Sequence, residues 1–507
     1  MKPTSSCLLS RREWLKGAGL LGLGAAAQTR LRSAARGPAD SGAAAGSGPP
    51  AIEINHEPQL FIDDYLVDNR WGLRSETLTR VVHAPQKHPA NPVIAADGGY
   101  VNVVRDPRAG LFRMFYQAFW DISYNPRKYT YATAYAESRD GVHWELPRLG
   151  KHSFKGTRDN NIVMLGPAGG RAEGQFLLDL PREQRRGFQF VMLYGSDEPG
   201  HEGLHLIGSQ DGIEWEAASD VLIGADFQPD TQNAIVWDPQ RRVFVMFTRA
   251  TNLYSDGESG PRRRVARLEH AELWSAWPIR TENILIPDEL DEQSGHRYFY
   301  GMPTRYYAGV YFGFLWPYDL ERGDIYTELA FSRDGRSFQR FPGRPSLLGL
   351  GAADDWDRGM VFASPGWVEV GDEWWIYYAG VNGSHNRRSE DLQTGIGLAR
   401  LRQEGFASLR SPAGGGVVVT RMLRWPGGEL QVNADAGPAG LAVRVTGYDR
   451  RPLPHFDPQP SLPVTGSSLR HEVQWRNGRL SDLRGQGVRL EFLLKDEADL
   501  YSFRAAT

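Results

Sequence analysis

Apolar and polar residues alternate in short runs along most of this chain. The stretches "YVNVVRDPRAGLFRMFYQAF", "GQFLLDLPREQRRGFQFVMLYG", "NAIVWDPQRRVFVMFTRA", "MPTRYYAGVYFGFLWPY" and "GWVEVGDEWWIYYAGV" share one layout: an alternating run, turn residues, then a second run rich in aromatic and β-branched residues. A period of two, broken by Asp-Pro, Gly and Asn, predicts strand, turn and strand rather than helix. Long amphipathic helical patterns are nearly absent.

A second phrase follows the hairpins. It reads "ESRDGVHWE" at 137–145, "GSQDGIEWE" at 208–216 and "FSRDGRSFQ" at 331–339, with degenerate copies "RLEHAELWSAWP" and "GLARLRQEGFASLR" around Glu272 and Glu404. The copies recur about every 60 to 70 residues, which is the period of a repeated supersecondary unit. Two strands per hairpin and two flanking the Asp-Gly turn make four, and five such units predict an all-β fold built on a five-bladed β-propeller. Asp140, Asp211 and Asp334 then belong to blade-edge turns, where the following Gly supplies a positive φ. Trp144 and Trp215 are expected to pack between blades. Asp106-Pro107 and Asp238-Pro239 read as turns too. Beyond "SPAGGGVVVT" the pattern changes to short strands separated by turn residues, and 412–507 is predicted to be a β-sandwich packed on a propeller of 52–411.

Composition and charge narrow the function classes. The chain has 507 residues, a formal charge of −3, 41% hydrophobic and 11% aromatic content, ordinary for a globular protein. Arginines are scattered, with "PRRRVAR" (261–267) the only dense basic run, read as a solvated loop; no nucleic-acid partner is expected. At the N-terminus, "SRREWLKGAGLLGLGAAA" places Arg11 and Arg12 before a short, weakly apolar run ending in small residues. That pattern resembles a twin-arginine export signal over 1–27, followed by a flexible linker over 28–51. The expectation is a periplasmic or extracellular protein with no membrane span in the mature chain. The single cysteine, Cys7, lies within this signal, so disulfides and Cys-ligated zinc are excluded from the remainder.

The propeller pattern, together with "LQVNADA" and "LAVRV" near the start of the C-terminal region and "LRGQGVRLEF" and "LKDEADLYSF" near its end, is similar to glycoside hydrolase family 32, within the superfamily that includes families 43 and 68. The opening "LFIDDYLVDNRWGL" with "VVHAPQKHPANPVI" resembles exported bacterial glycosidase-like proteins of that superfamily. The resemblance implies a glycosidase using acidic residues at the inner ends of the blades. One carboxyl is held protonated and another ionised on opposite sides of the anomeric carbon.

The positions that just precede or open the hairpins are Asp97, Glu173 and Asp230, with Asp355 and Asp357 before the fifth. Asp230, in the polar cluster "PDTQN", matches by position the family's aspartate that bridges substrate hydroxyls. Asp97, Glu173 and Asp357 complete the catalytic candidates. Asp355, Arg358, His385, Trp120 and Tyr300 are the candidates for sugar contacts.

Blade four departs from the pattern: Tyr300 and Gly301 stand where families 32 and 43 place a glutamate acid. An acid then comes from elsewhere, for example Glu173 or Asp357, or the usual mechanism is absent. Three functions follow as expectations: an exported glycoside hydrolase on a poly- or oligosaccharide, a carbohydrate-binding propeller without hydrolysis, or a sugar phosphorylase with Arg171, Arg305 or Arg358 near the acid. No cofactor is expected. A channel calcium is compatible with the architecture, but no EF-hand-like ligand run supports it.

Overall fold

The computed structural model describes residues 50–506 apart from 75, 96–97, 121–129, 166–172, 197, 226, 228–230, 251–262, 387–391 and 457–458. Trp120 and Glu173 are described in their backbone only.

The alternating hairpins form sheets in chain order. The first sheet runs Gly99–Asp106, Leu111–Trp120, Thr130–Ser138 and Ile162–Met164; the second Glu173–Leu177, Phe190–Ser196, Gly203–Ser209 and Val221–Ala225. The third is Ala234–Asp238, Val243–Arg249, Val265–His270 and Glu282–Leu285. The fourth contains Thr304–Tyr307, Val310–Leu315 and Thr327–Ser332, with Gln339–Arg340 and Ser346–Leu348 both on its outer edge. In the fifth, Met360–Ala363, Glu373–Val381 and Thr394–Arg402 are completed by Gln86–Lys87 from the N-terminal side.

Side-chain burial closes these sheets into a ring. One apolar cluster joins sheets one and two, through Phe115, Tyr135, Phe190 and Met192. Others join two and three, three and four, and four and five. A further cluster, with Met114, Ala134, Tyr377 and Leu398, joins the fifth back to the first. That cyclic succession of buried faces is what a propeller requires.

The repeated phrase is structural, as its Asp-Gly pair predicts. In each copy one carboxylate oxygen of the Asp accepts two backbone amides: Val142 and His143 on Asp140, Ile213 and Glu214 on Asp211, Arg336 and Ser337 on Asp334. The next residue, Gly141, Gly212 or Gly335, has φ of 76°, 77° or 67°, which favours glycine. Trp144 packs on Tyr377 of sheet five, and Trp215 on Phe115 of sheet one. The strand expected directly after the turn is reduced to the isolated pairings Glu137 with Glu145 and Ser209 with Trp215. The true fourth strands begin later, at Ile162 and Val221, because the Asp side chain shapes a wider loop than a two-residue hairpin.

These turns give a pH prediction. Burial pushes the Asp334 carboxyl up, but the amides of Ser337 and Arg336 and the Ser332 hydroxyl together hold it at about 2, below the ordinary 3.8. Asp211 is lowered as well: burial opposes, and the amides of Glu214 and Ile213 prevail. A depressed carboxylate stabilises the fold above its unfolded pKa and loses that contribution as pH falls through the folded one. Urea unfolding midpoints should therefore stay flat above about pH 5 and decline from about pH 4 toward pH 2; Asp334→Asn should flatten part of that decline.

The remaining strands form two six-stranded sheets. One contains Ile52–Glu53, Leu423–Arg424, Gly487–Leu494, Gly416–Thr420, Val67–Gly72 and Leu441–Thr446. The other contains Ser467–Glu472, Leu430–Asp435, Asp499–Ala505, Ala407–Arg410, Thr79–Val82 and Gln59–Leu60. A single core that includes Phe61, Trp425, Val432, Val443, Phe492 and Phe503 lies between them, with the Phe492 and Phe503 rings 5.7 Å apart. The strands between 52 and 82, expected in the propeller, thus pair with C-terminal strands, and the latter begin at Ala407 rather than 412. Alternation predicts a strand and its buried face, but not which distant edge completes its backbone hydrogen bonds.

Candidate functional site

The first strand of each propeller sheet lies toward the axis. Residues on or just after all five of these strands line one cavity of about 320 Å³, including Asn102, Asp179, Val236, Arg305 and Gly366. At the other end of the strands, Tyr100 of sheet one stacks on Trp316 of sheet four with ring centroids 5.7 Å apart. Those sheets are not neighbours in the ring, so this pair crosses the axis. Phe362 of sheet five packs edge-on against both rings. The aromatic plug divides a lower cavity from an upper mouth, where the inner strands begin.

The lower cavity is charged, but its charges are largely committed. Arg305 donates to the Trp367 carbonyl at 2.6 Å, lies 4.4 Å over the Trp367 ring and pairs with Asp179 at 3.3 Å. Burial pushes the Asp106 carboxyl up, but the Ala109 and Arg108 amides and Arg113 outweigh it and hold it low. Neither group is poised for proton transfer.

The upper mouth is organised around Tyr300. Its ring has the Arg263 guanidinium at 4.7 Å, the His385 ring at 5.1 Å and the Arg249 guanidinium at 5.4 Å. Its carbonyl accepts from Arg249 at 2.8 Å and from the Thr231 hydroxyl at 3.3 Å. His385 is positioned by its amide, which donates to the Gly323 carbonyl at 2.8 Å, and by the Tyr318 hydroxyl, 3.1 Å from Nδ1. Burial raises the Tyr318 phenol, so it stays protonated. Thr231, Gln232 and Asn233, the residues entering sheet three, are buried. Two buried donors near the plug have no partner, Nε2 of Gln117 and Nε1 of Trp316. Gln117 pairs in register with Gly99, where sheet one opens at the mouth.

Gly301 explains the departure in blade four. A Cβ there would lie 2.6 Å from Oγ1 of Thr231 and 2.9 Å from the Trp316 ring. The place where families 32 and 43 carry a glutamate is thus filled from sheets three and four. Gly301→Ala should cost about 1–3 kcal/mol by overpacking, read as a lowered melting temperature with the secondary structure retained.

Of the residues singled out in the sequence, the structure brings Tyr300 and His385 together. Asp97 and Asp230 lie outside the described residues, as do the side chains of Glu173 and Trp120. In the chain, Asp97 comes two residues before the first inner strand, Glu173 opens the second, and Asp230 directly precedes Thr231. Asp357 is 2% exposed and its carboxylate is committed: it accepts from Lys87 at 2.7 Å and from the Tyr378 hydroxyl at 2.9 Å. It is a buried ion-pair residue tying the N-terminal strand to sheet five, not an acid facing the channel. Asp355 and Arg358 are exposed in the preceding loop, where the Asp355 carboxylate accepts the Ala352 amide.

The sequence reading missed Arg249, Arg263 and Gln117. Arg263 belongs to "PRRRVAR", which is not a solvated loop: Arg263 covers Tyr300, and Arg267 is 1% exposed and paired with Glu269 and Glu282. The available signal was the strand alternation running into that basic run.

No protein-family model and no curated protein matches the chain. Among solved structures it is similar to a glycoside hydrolase, at 17% identity and a TM-score of 0.42, over 63% of this chain and 92% of that one. It is similar to a β-1,2-mannobiose phosphorylase from Listeria innocua, at 13% identity and a TM-score of 0.42, over 62% of this chain and 96% of that one. A thermostable family-43 glycoside hydrolase aligns at 13% identity with a TM-score of 0.40, over 62% of this chain and 92% of that one.

Proposed function

We propose that the protein is an exported glycoside hydrolase that binds a poly- or oligosaccharide at the upper mouth of the propeller channel. The observation that carries the reading is the grouping of Tyr300, His385, Arg249 and Arg263 at the end where the inner strands begin. An aromatic ring with cationic and amide donors beside it offers stacking to a sugar face and hydrogen bonds to its hydroxyls. The sequence places Asp97, Glu173 and Asp230 at the start of three of those strands.

Cleavage needs a proton donor to the leaving oxygen and an ionised carboxylate on the opposite face of the ring. Gly301 leaves no room for an acid, and Asp357 is held by Lys87 and Tyr378. The acid role therefore falls to Glu173, with Asp97 as nucleophile or base and Asp230 as the group bridging substrate hydroxyls. Export rests on the Arg11-Arg12 pattern and is tested by fractionating cells that produce the full chain.

A panel of fructans, arabinans, xylans and galactans tests the main reading through reducing-sugar release and calorimetry. The expected result is turnover of at least one polymer, with Tyr300→Ala weakening its binding about 10-fold, the loss of roughly 1–2 kcal/mol of stacking. The filled space at Gly301 favours a second reading, a binding propeller without hydrolysis. Saturable glycan binding with no reducing-sugar release would establish that one instead.

A further inference from the structure

The sequence "HEGLH" at 201–205 is absorbed by nothing above. His201 sits in the loop between the second and third strands of sheet two, and His205 lies on the third strand. Asp220 directly precedes the fourth strand. Antiparallel pairing sets Tyr194 opposite His205, so both side chains emerge on one face of the sheet.

Four donor atoms converge there. Nδ1 of His205 is 3.1 Å from Oδ1 of Asp220, and Nε2 of His201 is 3.3 Å from Oδ2. The Tyr194 hydroxyl donates to Oδ2 at 2.6 Å and lies 3.0 Å from Nε2 of His201. The two imidazoles stack with centroids 3.8 Å apart. The His and Asp ligand atoms all lie within 4.8 Å of one another, and among the described residues this is the one such group.

The tautomer of His205 is informative. Its Nε2 is 3.1 Å from the His201 carbonyl, which can only accept, so Nε2 carries the proton. In the neutral ring, Nδ1 then turns a lone pair toward a carboxylate oxygen, and two acceptors face each other at hydrogen-bond distance. A positive species between them resolves the conflict. A backbone carbonyl fixing one imidazole nitrogen while the other points at a cation is the usual second-layer arrangement of a metal-ligating histidine. His205 is 3% exposed, whereas His201 keeps a quarter of its side-chain surface, which gives an ion a route in. Glu198 and Glu202 add negative charge near His201.

We propose that Nε2 of His201, Nδ1 of His205 and the Asp220 carboxylate, with the Tyr194 oxygen or a water as fourth donor, bind one divalent transition-metal ion, and that Zn²⁺ suits this donor set best. Bonds of about 2.0–2.2 Å in a tetrahedron put neighbouring donors roughly 3.4 Å apart, so the donors need open by only a few tenths of an ångström. The site is at the mouth end of the propeller. Glu173 pairs with Gly195, and Gly195 with Leu204, so His205 is one residue beyond the row that starts at Glu173, about 10 Å away across two strand spacings. The proposal is independent of whether the mouth hydrolyses glycans.

The full chain, stripped with chelator and titrated with Co²⁺ and Zn²⁺, tests it. Expected are one equivalent of Zn²⁺ by calorimetry and visible Co²⁺ bands with four-coordinate intensity. His201→Ala, on a partly exposed loop, should weaken binding about 10-fold or more, and His205→Asn should abolish the Co²⁺ bands; removal of the exposed His143, beside Asp140, should change neither. Absence of stoichiometric binding by the wild-type protein overturns the proposal and leaves a Tyr–Asp–His hydrogen-bond network. Binding that is undiminished in His201→Ala overturns it equally.

Discussion

Replacing Arg340 with methionine should destabilise the protein by about 3–5 kcal/mol. Arg340 lies between two buried carboxylates: it donates to Asp291 at 2.7 Å and to Glu328 at 2.9 and 2.6 Å, and all three side chains are under 5% exposed. The Tyr326 hydroxyl completes the shell of Glu328 at 2.9 Å. Methionine fills most of the volume, so the loss is electrostatic, leaving two carboxylates out of water without a cation. Even with Arg340 present, burial raises the Glu328 carboxyl above its ordinary 4.5. A raised carboxyl favours the fold at low pH, and that advantage is lost as pH rises through the folded value. The deficit of the variant should therefore be complete at pH 7 and shrink as the pH is lowered toward 4, where Glu328 takes up a proton. Urea unfolding at pH 7 and pH 4.5 reads this directly, and adding Glu328→Gln to Arg340→Met should recover a large part of the loss at pH 7. An equal deficit at both pH values would show that packing, not charge, dominates.

The second large effect concerns turnover. On any glycan the protein cleaves, Glu173→Gln and Asp230→Asn should each lower kcat by about 10²–10⁴-fold, the range for removing a positioned acid or base, while changing affinity only a few-fold. Asp357→Asn should leave kcat nearly intact and instead loosen the contact with Lys87, read as a lower melting temperature. A decisive comparison is azide or another small external nucleophile, which restores a lost nucleophile or acid but not a lost structural contact. Full activity in Glu173→Gln would remove Glu173 from the mechanism and, with Gly301 sterically closed, favour the binding reading.

Much of the propeller was legible because each hairpin carries its own signal. Alternation fixes the inward face of Val243–Arg249 or Glu373–Val381, and Asp-Gly fixes the turn at 140, 211 and 334, all within a few residues of chain. What depends on distant partners was not legible. Nothing local in Val67–Gly72 says that it will pair with Gly416–Thr420. Asp357 looked like a channel acid because it precedes an inner strand, yet its partner is Lys87, 270 residues away. The basic run at 261–267 looked solvated because charge is usually exposed, but Arg267 finds two carboxylates and Arg263 an aromatic ring. The site was legible in part: Tyr300 and His385 were named separately, and only the return of the chain from sheet five to sheet four brings their rings together.

The two residues Gln86–Lys87 that complete the fifth sheet have a kinetic consequence. Their partner strand, Thr394–Arg402, is made some three hundred residues later, and the strands between 52 and 82 wait still longer for 407–505. A long loop must close before any of these contacts gives a return, which places the last seam of the ring among the slow, high-separation events of folding. Until the ribosome has released nearly the whole chain, the N-terminal segment has no edge to join, and its strands stay exposed to other chains. Truncations that remove the final strand should therefore behave as open rings with sticky ends rather than as shortened propellers, and the yield of native protein should depend on what shields residues 52–87 while the C-terminus is being made.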